Sequence, residues 1–364
     1  MATKKNLETG AVNMENGVSK LETEELKDQL NDIYGELMDL EEDVDTFFPS
    51  GSLVLDSVLS NGLGIPMGRF ISLNADSGAG KSSLCLHVAR NCCARGKRCL
   101  YIDSETGLNK NQLQSFSLLP FVENGTFIPK RVHTYRELDD LFANILKDES
   151  LRFIFLDSLS DVVPDELLET NIADIKQPGI DARYQSAFLR KYKPIFNAAG
   201  KTVFFILQNR TKIGMSWGQQ TTVQASGGLA VKYHMDITLE MKKKEDLEKT
   251  VPGSDKPIIY GSECLLKSTK NRLAPPFIPM MIQVHFGKGV SNAGALARAL
   301  VVGGYTKTPT NRTYVIEYEG EDKKFLGKGA YETWIKEHIS YYKDIVENKL
   351  GGIKLLKEAK EEEE

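Results

Sequence analysis

The 364-residue chain is 41% hydrophobic, 9% aromatic and 26% charged, with a formal net charge of −4, a balance that suits a globular protein with a large core. No apolar run approaches the roughly 20 residues that span a bilayer, and Met1 is not followed by an apolar secretory segment, so the expected setting is cytoplasmic, without a membrane partner. Cys85, Cys92, Cys93, Cys99 and Cys264 lack metal-ligand spacing and are expected to be reduced and buried.

In chain order, residues 1–18 are polar, without hydrophobic period, and are expected to be disordered. Ser19-Lys20-Leu21-Glu22 fits a capping box, after which Leu26, Leu30, Ile33, Leu37 and Leu40 fall on one face of an acidic helix within segment 19–49. A lone amphipathic helix must lie on its own domain or on a neighbouring subunit. From residue 50 to 289, helical patterns alternate with strands expected at Phe70–Asn74, Cys99–Asp103, Phe153–Asp157, Val203–Gln208, Ile237–Met241, Cys264–Lys267 and Met281–Phe286. The early strands are almost continuously apolar, as strands buried on both faces of a mostly parallel α/β sheet must be. A small segment, 290–350, carries Leu296, Leu300, Val301, Tyr305, Trp334, Ile335 and Ile339, and 351–364 is a charged tail ending in four glutamates.

Charge is segregated along this order. Ala182–Met235 holds eight Lys or Arg and no acid, and Cys264–Ile316 holds seven and no acid. The remainder is therefore acidic, and a basic surface on an acidic protein suits a polyanion.

Residues 75–83 read Ala-Asp-Ser-Gly-Ala-Gly-Lys-Ser-Ser, between an apolar strand and a helical pattern over Leu84–Ala94. This is a phosphate-binding loop. The backbone from Asp76 through Ser77, Gly78, Ala79, Gly80, Lys81, Ser82 and Ser83 is expected to surround nucleotide phosphates, Lys81 to reach the β- and γ-phosphates, and Ser82 to ligate Mg²⁺. Ala75 stands where glycine is usual. Asp157 ends an apolar strand and is expected beside the loop, holding Mg²⁺ or its water. Glu105 follows the strand ending at Asp103 and is placed to polarise a water in line with the γ-phosphate, and the amide of Gln208, ending another strand, is expected within reach of that phosphate.

Together with Gly62–Arg69, Tyr101–Glu105, Leu156–Ser158, Gln208-Asn209-Arg210-Thr211-Lys212-Ile213-Gly214, Ser226-Gly227-Gly228, Lys270–Phe277, Phe286–Gly289 and Gly327–Gly329, these residues resemble the RecA recombinase family, in its bacterial and bacteriophage branch. The resemblance implies a RecA-like phosphate-loop ATPase core (50–289), an N-terminal oligomerisation helix and a small C-terminal α/β domain. It also implies a head-to-tail helical filament with ATP and Mg²⁺ sandwiched between copies. Glu105 then matches the family's catalytic glutamate, Gln208 the γ-phosphate sensor, and Lys270 and Arg272 a basic pair reaching into the neighbour's site. Asn109 and Phe286 occupy the adenine positions, where Asp and Tyr are common. Two loops, about 169–180 and 209–228, would hold single-stranded and then double-stranded DNA through Ile180, Arg183, Arg190, Arg210, Lys212, Gly214, Met215, Trp217, Ser226, Gly227 and Gly228. A single-strand-binding protein or mediator is a further implied partner. Arg272, where the family commonly has Lys, and Gln219-Gln220 in the second loop are departures.

The expected activity is DNA-stimulated ATP hydrolysis driving homologous pairing and strand exchange. Alternatives are a non-catalytic ATP-gated DNA-binding or mediator relative, a ring helicase, whose usual extra N-terminal domain has no room in 1–50, and a small-molecule kinase, for which no acceptor motif is visible.

Overall fold

The computed structural model describes residues 47–169, 179–212, 222–225, 228–249, 257–302, 304–310 and 312–344. The expected N-terminal helix and the charged tail lie outside these residues.

The strands of the main sheet are β3 (Phe70–Ala75), β4 (Arg98–Asp103), β5 (Phe127–Arg131), β6 (Leu151–Asp157), β7 (Thr202–Lys212), β8 (Thr222–Ala225), β9 (Ile237–Lys249), β10 (Ile258–Asn271), β11 (Met280–His285) and β12 (Gly289–Val290); a preceding two-stranded ribbon joins β1 (Phe47–Phe48) to β2 (Ile65–Pro66). The order is β12-β11-β10-β9-β3-β7-β6-β4-β5, with β8 on the far half of β7. Six strands, from β5 to β9, are mutually parallel, and β10, β11 and β12 add antiparallel. The mostly parallel α/β sheet is as expected.

All six residues of β3 are buried, because helices cover both faces. One face packs α1 (Leu53–Ser60) and α2 (Lys81–Ala94) on Leu73, Phe155 and Ile206, with α3 (Lys110–Ser115) and α4 (Leu119–Glu123) alongside. The other carries α5 (Tyr135–Ile145), beside which α6 (Asp165–Glu169) accepts from Arg136 N through Asp165, then α7 (Ile180–Ala198) and α8 (Gly228–His234), with Phe142, Phe188, Tyr192 and Phe196 in ring contact. Residues 185, 188, 189, 192 and 196 of α7 face inward at helical spacing. Thr134 starts α5 by accepting from Glu137 N, while the Glu137 carboxylate accepts from His133 N.

Two boundaries differ from the sequence reading. β5 is an additional edge strand hidden by Pro129, which an edge position tolerates. β9 and β10 extend well beyond the apolar stretches at 237–241 and 264–267: the charged outer half of β9 pairs with an outer half of β10 whose Ile258, Ile259 and Tyr260 are exposed, so backbone pairing rather than a buried face defines the extension. A smaller antiparallel sheet of β13 (Thr306–Thr310), β14 (Thr313–Tyr318) and β15 (Glu321–Leu326) packs with α9 (Asn292–Val302), α10 (Lys328–Glu337) and α11 (Ile339–Asp344) around Leu296, Leu300, Ile316, Tyr331, Ile335 and Tyr342. Ile339 and Tyr305, read as apolar pattern, are exposed. All five cysteines are buried and free.

Candidate nucleotide-binding site and basic edge

Parallel strands deliver their carboxyl ends to one edge of the sheet. Ala75 pairs in register with Gln208, and Asp103 with Asp157, so the ends of β3, β7, β4 and β6 meet around the loop 76–80. Gly78 (φ 76°) and Gly80 (φ 92°) supply the left-handed backbone that swings the chain into α2. The first-turn amides of α2 have no intrahelical acceptor, which makes this helix end a natural anion cradle. Lys81 Nζ folds over the same loop, donating to the carbonyls of Ala75 (2.9 Å) and Asp76 (3.0 Å). Burial lowers its pKa, opposed by the negative charges of Asp157, Glu105 and Asp76.

Asp157 Oδ2 accepts from Ser82 Oγ and from Tyr101 Oη, both at 2.7 Å. Burial pushes the carboxyl pKa up, and the two hydroxyl donors pull it back. Glu105 is also raised by burial, against the donor Gln208 Nε2 at 2.9 Å. Ser104 stitches the edge, donating from Oγ to Ser158 O and accepting from Ser158 N. Ser158 in turn donates its hydroxyl to Asp161. The donor set suits Mg²⁺ brought by a triphosphate. A hydroxyl and one carboxylate, with no cluster of three His, Cys, Asp or Glu ligands among the described residues, leave most coordination positions to phosphate and water.

At the expected adenine positions, Asn109 Oδ1 caps α3 by accepting from Gln112 N (3.0 Å), and Phe286 is 46% exposed. Gly287 approaches Ser115, drawing these two segments together.

Lys270 and Arg272 lie at the opposite edge. β10 is antiparallel to β9, so Asn271 pairs with Ile237, which also pairs with Ile71 near the start of β3. A register shift precedes Lys270, and Arg272 sits just past the strand end rather than on its face. The two still converge on one segment. Lys270 Nζ donates to the carbonyls of Lys232 (3.0 Å) and Tyr233 (3.1 Å), and Arg272 Nη1 meets Asp236 Oδ1 at 3.2 Å. Burial, then repulsion from Arg272 and Lys193, lowers the Lys270 pKa. Tyr233 and Phe277, both more than 60% exposed, flank this edge.

Of the expected nucleic-acid residues, Arg183 and Arg190 are exposed on α7 and border, with Ala182, Ser186, Ala187 and Lys191, a groove of about 660 Å³. Ile180 is buried at the start of α7, so its side chain is not offered to bases. Arg210 and Lys212 are backbone positions on β7 opposite Gln224 and Thr222, and Gly228 opens α8. Gly214, Met215, Trp217, Ser226 and Gly227 lie outside the described residues. Sequence reasoning assigned no role to Tyr101, Ser104, Lys193 or Asp236. The available signal for Asp236 was its place as the first acid after the basic stretch 182–235.

A phosphate loop at the carboxyl edge of a helix-covered parallel sheet is the arrangement of an α/β nucleotide-binding protein. The family model described as the RecA N-terminal domain matches residues 18–291. The chain is 30% identical over 281 residues to a Protein RecA from Cutibacterium acnes, covering 77% of each chain. It is 32% identical over 253 residues to one from Fusobacterium nucleatum (70% of this chain, 63% of that one) and 28% identical over 316 residues to one from Lactobacillus johnsonii (86% and 83%). The chain belongs to the RecA family.

Proposed function

We propose that this chain is an ATP-dependent DNA recombinase. Its copies assemble head to tail on single-stranded DNA, hydrolyse ATP between neighbours, and pair and exchange strands with duplex DNA. The observation that carries this is the Gln208–Glu105 hydrogen bond. It sits where β7 leaves the parallel sheet and continues unbroken to Lys212, so one strand joins the phosphate edge to the second basic loop. In the proposed mechanism the amides of 77–83 and Lys81 bind the triphosphate, and Ser82 and Asp157 hold Mg²⁺, which supplies charge neutralisation when bound. Glu105 orients a water and takes its proton, and Gln208 ties that carboxylate to the DNA-facing strand. Lys270 and Arg272 serve the next copy's site, and the exposed Tyr233 and Phe277 beside them supply an apolar contact for it. Arg183 and Arg190 give α7 a basic groove for the phosphate backbone. A single-strand-binding protein or mediator is an additional proposed partner.

The test is complementation in trans. Glu105→Gln and Arg272→Ala each lower DNA-stimulated ATP turnover by about 10²-fold or more. Mixing the two variants restores turnover, because some interfaces then pair an intact Glu105 with an intact Arg272. Turnover that ignores single-stranded DNA favours the kinase alternative; a mixture as inactive as its components refutes the shared site.

A further inference from the structure

Asp236 is 1% exposed and clamped at the basic edge. Its N–H donates to Phe70 O (2.8 Å), and its Oδ2 accepts from Phe70 N (3.0 Å), which fixes the carboxylate to the first residue of β3. Its Oδ1 accepts from Lys193 Nζ at 2.6 Å, and that ammonium also donates to His234 O at 2.6 Å. A buried carboxylate with a backbone amide and an ammonium at hydrogen-bond distance is already compensated. The 3.2 Å bond from Arg272 Nη1 to the same Oδ1 is therefore an addition, made by a side chain that remains 60% exposed. A guanidinium has five N–H donors in a rigid fork. One edge is thus held by Asp236 and the rest is left outward, beside Lys270. A lysine at 272 would carry one compact ammonium, and a fixed carboxylate within reach would draw that charge inward.

We propose that Asp236 is a positioning residue that aims Arg272 and makes position 272 dependent on arginine. This rests on the proposed reading that Arg272 acts on a neighbouring copy's triphosphate. Asp236 acts only through the guanidinium, and Lys193, one turn beyond Arg190 on α7, keeps the carboxylate neutralised when Arg272 swings outward.

The test is a two-residue cycle in the full chain, with kcat and KM for ATP measured at saturating single-stranded DNA. Arg272→Lys lowers kcat about tenfold and leaves KM within about twofold. Asp236→Asn lowers kcat when Arg occupies 272 but raises it when Lys does, since removing the charge releases the captured ammonium. A carboxylate that merely supports the fold would lower kcat by the same factor in both backgrounds, and that result overturns the proposal. An Arg272→Lys chain with unchanged kcat overturns it too, and needs no variant at the buried site. Failure of the underlying reading looks different: Arg272→Ala would then leave turnover unaltered, or the wild-type chain would have none.

Discussion

Removing one oxygen from Tyr101 tests the architecture of the phosphate edge. The Tyr101 ring is buried between Phe127 (centroids 6.1 Å apart) and Phe155 (6.2 Å), so Tyr101→Phe keeps the packing and deletes only the hydroxyl. That hydroxyl donates at 2.7 Å to Asp157, whose carboxylate is itself buried. A hydrogen bond to a charged group contributes about 1.5–3 kcal/mol, and here the acceptor is left inside the protein. With roughly 2–4 °C per kcal/mol for a large domain, melting without nucleotide at pH 7 falls by about 3–12 °C. Ser82→Ala removes the other donor to the same oxygen. The double variant therefore departs from the sum of the singles by about 0.5 kcal/mol or more. A Tyr101→Phe protein melting within about 1 °C of wild type, or strict additivity with Ser82→Ala, would refute the idea that these hydroxyls jointly stabilise the Asp157 charge.

At Gly289 the backbone φ is +88° and an added Cβ would lie 2.5 Å from His87 Nδ1, so Gly289→Ala costs about 1–3 kcal/mol in urea unfolding, whereas Gly125→Ala, with nothing within 4 Å, costs only its backbone strain. Burial raises the Glu332 carboxyl above its ordinary 4.5, Glu263 adds to the rise, and Gln283 and Lys328 oppose it. The folded chain therefore holds that proton more tightly than the unfolded one, and the resulting stability is complete below about pH 4.5 and lost as pH climbs through the raised value. Glu332→Gln consequently flattens the melting-temperature profile between pH 4.5 and 7, and an unchanged slope would count against the raised value. Arg183→Ala with Arg190→Ala reduces the salt slope of single-stranded DNA binding by about 1–2, read from titrations at several salt concentrations; an unaltered slope removes the α7 groove from the interface.

The elements legible in the sequence were those whose physics is local. β3 and β6 announce themselves as apolar runs because both of their faces are covered, and the loop at 76–80 because its geometry demands small residues. The outer halves of β9 and β10 were hidden, since the charged run of β9 has no apolar alternation and Ile258, Ile259 and Tyr260 of β10 stay exposed, so their pairing rests on backbone bonds alone. The same limit hid partners that meet only in three dimensions. Tyr101 read as one more aromatic of a buried strand, although its hydroxyl bonds Asp157 fifty-six positions away. Asp236 carried no assignment from the sequence, although it joins β3, α7 and the residue after β10. Asn109 was expected to face a base, but its carbonyl is taken by the start of α3, a competition between local capping and ligand contact that spacing cannot resolve.

Strand polarity places the two halves of the proposed catalytic machinery at opposite edges of the sheet. Every strand from β5 to β9 points its carboxyl end toward the phosphate loop, so Glu105 and Gln208 arrive there by connectivity alone. An antiparallel β10 must deliver its last residues to the other edge, and Asn271 pairs with Ile237 there. The six residues of β3 between the edges span on the order of 17 Å, and an extended arginine reaches roughly 7 Å from its Cα. No rotamer of Lys270 or Arg272 closes that gap within one chain. If both edges act on one triphosphate, they belong to different copies, and turnover then has to depend on assembly. The acid-free stretch adds a physical link between the edges, because α7 from Ala182 onward and β7 both belong to it and both run the depth of the sheet. Arg190 on the groove face and Lys193 on Asp236 are one helical turn apart on α7, so the helix that borders the basic groove also carries the ammonium that neutralises the carboxylate beneath Arg272.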